Sequence, residues 1–204
     1  MIEFFITGII LGLSAGIAPG ALLALVISET IQHNIKSGIK VALSPLASDL
    51  PIILSALFVI SKLSTYKPIL GIISILGSFL LLYLGIVNIR MKNIQMELKD
   101  TKPKSFLKGM IVNLTNPNPY LFWLVIGGPI IIKAYSVNAL SLLSFMLPFY
   151  ILLFGSQILI AILVGRSKSF LNDKIYLYSI RALGLVLVIF AGILFYDGVE
   201  LLTK

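Results

Sequence analysis

Cysteine is absent from the 204 residues, so disulfides, thiolate metal sites and a dithiol relay across a membrane are all excluded. Charge is scarce: 12% of residues are Asp, Glu, Lys or Arg, only 8 of them acidic, and the single histidine, His33, stands between apolar runs. No Ser/His/Asp set, HExxH or paired intramembrane Asp is present, and a nucleophile would lack a base, so the reading is not an enzyme. GxxxxGK[ST] is also missing, so any pumping by this chain draws on a gradient or on another subunit. Nothing calls for a cofactor. What fills the chain instead is hydrophobic: 58% of residues, with a mean hydropathy of +1.05, far above a soluble domain. This is the composition of an all-α integral membrane protein.

Apolar runs long enough to cross about 30 Å of hydrocarbon occur near 4–27, 39–61, 68–89, 106–132, 139–165 and 179–202. The expectation is six transmembrane helices in one domain spanning 1–204. The N-terminus has Glu3 in place of a basic n-region, and its apolar run exceeds a signal h-region, so the first segment is expected to stay in the mature protein. The basic residues are unevenly shared among the gaps. Lys36, Lys40, Arg90, Lys92, Lys99, Lys102, Lys104, Lys108, Arg166, Lys168, Lys174 and Arg181 fall on one side, against Lys62, Lys67, Lys133 and Lys204 on the other. The positive-inside rule then puts the longest gap, about 91–105, in the cytoplasm and both termini outside a cell membrane. The net charge of +8 is explained by topology and anionic lipid, so no nucleic-acid partner is expected.

The halves echo one another. "LGSFLLLYLGI" (Leu76 to Ile86) and "LGLVLVIFAGI" (Leu183 to Ile193) share Leu-Gly and Gly-Ile at one spacing, Pro45 and Pro148 precede them, and "IAPGA" and "TNPNP" interrupt the first and fourth segments. Three spans per copy reverse the chain, so the expected plan is two inverted repeats, about 1–92 and about 104–204, with the first and fourth helices broken at proline. Chance agreement between glycine-rich membrane segments is the competing explanation.

The break at Pro19 and Gly20 removes backbone hydrogen bonds that lipid cannot replace, so it either opens amides and carbonyls toward a substrate or kinks a helix. Gly8, Gly12, Gly16 and Gly20, spaced by four, also make a small-residue packing face. Asp49 lies near the centre of the second span, where a carboxylate costs about 2.5–3.5 kcal/mol to insert, and needs a partner or a function. Ser44, Ser48 and Ser55 form a stripe beside it and Pro45, so this side of the helix is expected to face the bundle interior. Asn113, Thr115, Asn116 and Asn118 surround Pro117 and Pro119, followed by Tyr120 and Trp123. They either repair the interrupted helix or line a path for ammonium and carboxylate groups. Ser156 and Gln157 are weaker members of this set.

The order of these features resembles the lysine exporter (LysE/RhtB) family of small six-helix efflux proteins. The matching residues are Pro19-Gly20, Gly38, Asp49, Gly77 with Tyr83-Leu84-Gly85, and Phe106, Gly109, Asn113, Asn116 and Pro117, within roughly the first 130 residues. The resemblance implies export of amino acids or similar small solutes from the cytoplasm, driven by a proton or membrane gradient, by a homodimer. Three departures stand out: Ala21, Asn118 and Ser48 stand where the family usually carries a proline, a lysine and a glycine, and losing that lysine bears on the charge of the solute. Two other readings remain open. One is a cation or heavy-metal exporter, to which Asp49 and the asparagines offer oxygen ligands, although no metal site is expected from these residues; the other is a membrane scaffold subunit. Asp49, as the expected ion-coupling carboxylate, argues against the scaffold.

Overall fold

A computed structural model describes residues 1–63, 67–90, 104–166 and 174–203. The loop expected at about 91–105 falls mostly outside them, as do Lys92, Lys99, Lys102 and Lys168. Among the described residues there is helix and no strand.

The first apolar run forms α1 (Ile2–Ile17) and α2 (Ala21–Gln32), bent by 56° where Ala18, Pro19 and Gly20 leave helical geometry. Gly20 is extended (φ −165°, ψ 176°), which any residue can adopt. The connection expected over "QHNIKSG" is mostly helical. Asn34 Oδ1 accepts from the Ser37 amide at 3.0 Å, capping α3 (Ile35–Ala42), and α4 (Pro45–Leu63) follows after two residues. Next come α5 (Lys67–Arg90) and α6 (Ser105–Thr115). Asn116 is extended, and Pro117 opens α7 (Pro117–Phe122) at a first-turn position that has no helical bond to lose. A π-helical turn, Trp123–Gly127, leads into α8 (Gly128–Val137), then α9 (Ala139–Arg166) and α10 (Lys174–Thr203) complete the chain.

By length and apolarity, Ile35–Ile60, Pro117–Val137, Ala139–Arg166 and Gly184–Thr203 can each cross a membrane, and the bent α1–α2 pair makes a fifth candidate. In α5 the apolar stretch, Ser74–Val87, is shorter. The fourth expected run thus divides, with α6 standing apart from the Pro117–Val137 span.

Small residues set the packing. A Cβ on Gly8 or Gly12 would strike the Phe145 or Phe149 carbonyl of α9, and one on Gly16 would strike Ser156, so α1 lies backbone-close and parallel to α9. Gly20 departs from the expected face: nothing lies within 4 Å of its missing Cβ, because the chain has already turned away from α9. In the same manner α6 runs parallel to α4, with Gly109 against Ser44. The α5 and α10 helices pair antiparallel, Gly71 against Gly198 and Gly85 against Gly184. These directions gather Lys36, Lys40, Arg90, Lys104, Lys108, Arg166 and Arg181 at one end, the basic end. Glu3, Lys133 and Asp197 gather at the end that carries the chain termini.

Candidate functional site

Ser44, just before α4, and Ser48 and Asp49 on it are buried as expected, but Ser55 is exposed and its Oγ donates to the Pro51 carbonyl at 2.7 Å. Beyond Pro51 the buried face of α4 swings toward Ile53, Ala56 and Ile60, which carries Ser55 to the outside. Asp49, 5% exposed, is reached from three other elements. Asn113 Nδ2 of α6 donates to Asp49 Oδ1 at 2.7 Å and to Ser48 Oγ at 2.8 Å. Ser48 in turn donates to the Ser44 carbonyl at 3.2 Å, which fixes its lone pairs toward Asn113. The Tyr150 hydroxyl of α9 donates to Asp49 Oδ2 at 3.2 Å, and the Trp123 indole lies beside the carboxylate. Every one of these donors is neutral, and no ion pair reaches Asp49 among the described residues.

The π turn is what turns Trp123 inward, since its extra residue rotates the ring off the α7 surface. Gly127 makes room: a Cβ there would overlap the indole ring. Phe149 packs edge-on to Trp123 at 5.3 Å, Tyr150 stacks on it at 6.2 Å, and Phe122 stacks on Phe149 at 5.6 Å. A cavity of about 630 Å³ lies toward the termini end and takes none of its lining from this aromatic layer. Leu11 and Ile126 are among its apolar lining residues, and Glu3, Lys133 and Asp197 among its polar ones.

Asn116, Pro117, Asn118 and Tyr120 are not drawn into the Asp49 cluster; their bonds close on the break itself. Asn116 Oδ1 accepts from the Asn118 amide at 3.0 Å, Tyr120 donates to the Leu114 carbonyl at 2.9 Å, and Thr115 donates to Ile111 at 2.8 Å. At the other break Pro19 is half-buried and Gly20 exposed. Gln157 is buried on α9.

A second cluster lies toward the basic end. Glu29 of α2 is 2% exposed and accepts from Lys108 Nζ and from Ser105 Oγ, each at 2.6 Å. The cation, Lys108, and the hydroxyl, Ser105, both come from α6, so the tie joins the second half of one interrupted helix to the first half of another. Sequence reading did not single out Glu29, Ser105 or Tyr150, and counted Lys108 only toward topology. Glu29 carried a usable signal as the one acid in the run from Gly12 to Gln32. Tyr150 carried none, because a tyrosine beside Phe149 in an apolar helix reads as packing.

The fold and its buried, hydrogen-bonded carboxylate define a multi-pass helical membrane protein with a polar centre. The sequence agrees on the lineage: residues 13–198 match the family model described as LysE type translocator, and the chain belongs to that family. It is also 30% identical, over 132 residues, to the "Putative amino acid efflux protein YcgF" of Bacillus subtilis (strain 168). That alignment covers 61% of this chain and 62% of the relative. No solved structure matches.

Proposed function

We propose that this protein is a secondary transporter that exports amino acids or similar small solutes from the cytoplasm, with Asp49 as the carboxylate that couples export to a proton or membrane gradient. The observation that carries this reading is the Asp49 cluster. A carboxylate in the interior, held by neutral donors and with no counter-ion among the described residues, is a charge that a proton or cation can cancel. Because Asp49 stands on α4 in the first half of the chain and its partners come from α6, the π turn and α9 in the second, a change in its charge is felt where the halves meet.

The transport unit is six helices in two inverted repeats, with both termini outside. In support, the helix pairings keep their pattern when the halves are exchanged. The first segment packs on the fifth (α1 on α9), the fourth on the second (α6 to α8 on α4), and the third on the sixth (α5 on α10). The clustering of basic residues at one end supports the orientation. The relative's name favours an amino-acid solute, and the oxygen donors around Asp49 keep a cation cargo as the reading to test against it. A homodimer in the bilayer is the expected assembly.

Proteoliposomes loaded with a panel of amino acids and divalent metals, with and without an imposed proton gradient, decide among these. Gradient-stimulated movement of one or more amino acids is expected, and it is lost in Asp49→Asn, whose amide matches the neutral acid in size. Movement of metals alone, or wild-type export with unchanged pH dependence in Asp49→Asn, overturns the proposal.

A further inference from the structure

Gln157 takes no part in either polar cluster, yet it is 2% exposed and its Oε1 is buried without a hydrogen-bond partner. Buried side-chain acceptors in a native interior are nearly always bonded, so an orphan of this kind points to a group that the protein binds.

Its neighbours indicate what that group is. Gln157 follows Tyr150 by seven residues on α9, two helical turns, so the two side chains leave the helix on one meridian, toward the bundle interior. On one flank of that meridian Leu153 and Ser156 lie against Gly16 of α1. On the other, Ala161 packs with Val26 of α2, and Gly165 lies against Thr30. The pairs 26 with 161 and 30 with 165 advance by four together, so one step back sets residue 22 beside 157. Gln157 therefore faces the first turn of α2, at the level where α1 has ended.

That turn has unfilled donors. The first amide of α2 to bond back is Ala24, to Gly20 O at 2.9 Å, and Gly20 offers no side-chain cap. The amides of Ala21, Leu22 and Leu23 are thus unpaired, at the positive end of a 12-residue helix, beside the open space at Gly20.

We propose that the first turn of α2 and Gln157 together bind the head group of an α-amino acid, the carboxylate on the Leu22 and Leu23 amides and the ammonium on Gln157 Oε1. Free amides alone would take any small anion, and a lone amide oxygen any small cation. Side by side they select a zwitterion and leave the solute's own side chain unspecified. This inference rests on the export reading above and adds the part of the solute that is recognised.

The test uses the purified full-length chain in detergent. Its melting temperature is followed against each common L-amino acid, the matching amines without a carboxylate, and the matching acids without an ammonium. One or more amino acids are expected to raise the melting temperature while their amine and acid analogues at equal concentration do not. Gln157→Leu should weaken that binding tenfold or more. Should Gln157→Leu fail to fold, Gln157→Asn, one methylene short, takes its place with at least a threefold loss expected. Wild-type affinity in the folded variant, stabilisation by the amine equal to that by the amino acid, or no stabilisation by any amino acid overturns the site. Export from proteoliposomes, measured in parallel, separates the two claims. Export with unchanged affinity in the variant removes this site alone, and stabilisation without export removes the transport reading alone.

Discussion

Asn113 donates twice, to Ser48 and to Asp49, so it holds both the carboxylate and the serine that orients it. Asn113→Leu keeps the volume and removes both bonds. It should lower stability by about 1–3 kcal/mol, read from thermal unfolding in detergent, and Asp49→Asn in the same chain should recover part of the loss because no charge is then left underbonded. Tyr150→Phe removes one longer bond, 3.2 Å, and should cost about 0.5–1.5 kcal/mol in the same assay. Asp49, Ser48 and Asn113 were legible in the sequence because a polar residue in an apolar run is conspicuous whatever its partner. Tyr150 was not, since it becomes a donor only through a contact 101 residues away in the chain. Asn116 and Tyr120 were equally conspicuous, but residue type alone does not say whether a polar group serves a solute or the helix end beside it, and here their bonds go to the helix end.

Among the helices, glycine has two different jobs that the spacing of four does not distinguish. Gly12 stands against the Phe149 backbone, so Gly12→Ala pushes α1 off α9 and should lower the melting temperature clearly. Gly20→Ala meets nothing within 4 Å at an extended φ, so its unfolding should stay within about 0.5 kcal/mol of wild type. Ala21→Pro should be tolerated as well: it occupies the first position of α2, follows an extended residue, and removes an amide that no helical bond uses. The tie between α2 and α6 is the opposite case. Lys108→Met leaves the buried Glu29 carboxylate with Ser105 as its remaining side-chain hydrogen-bond donor, and should cost about 3–5 kcal/mol, while adding Glu29→Gln should return much of it. A double-mutant cycle on thermal unfolding measures the difference.

At the scale of the whole molecule, helical class, membrane character and the first, second, fifth and sixth segments were readable from hydropathy, since each is a long apolar run. The interruption of the fourth segment was expected from its prolines and asparagines rather than from hydropathy, and the π turn behind it was not, because hydropathy averages over the very residues where the backbone changes course. The proposed topology predicts that reporter fusions at Thr203 and at Met1 are both active on the outside and that one within Lys36–Lys40 is active in the cytoplasm; a cytoplasmic C-terminus would reject it.

Glycines on α1 let its backbone touch the α9 backbone at Phe145, Phe149 and Leu153, a contact with few side chains between the helices to slide or repack. Mechanically such a pair is a single beam, and the antiparallel α5–α10 pair, glycine against glycine near both ends, is a second. Beams that cannot shear internally move by tilting against each other, and the Glu29–Lys108 tie is then the clasp that sets how far the basic end can spread. A chain that has no cysteine of its own allows this to be tested cleanly. Glu29→Cys with Lys108→Cys, joined by a short bifunctional crosslinker, should halt export in proteoliposomes, and the same two substitutions left unlinked should not.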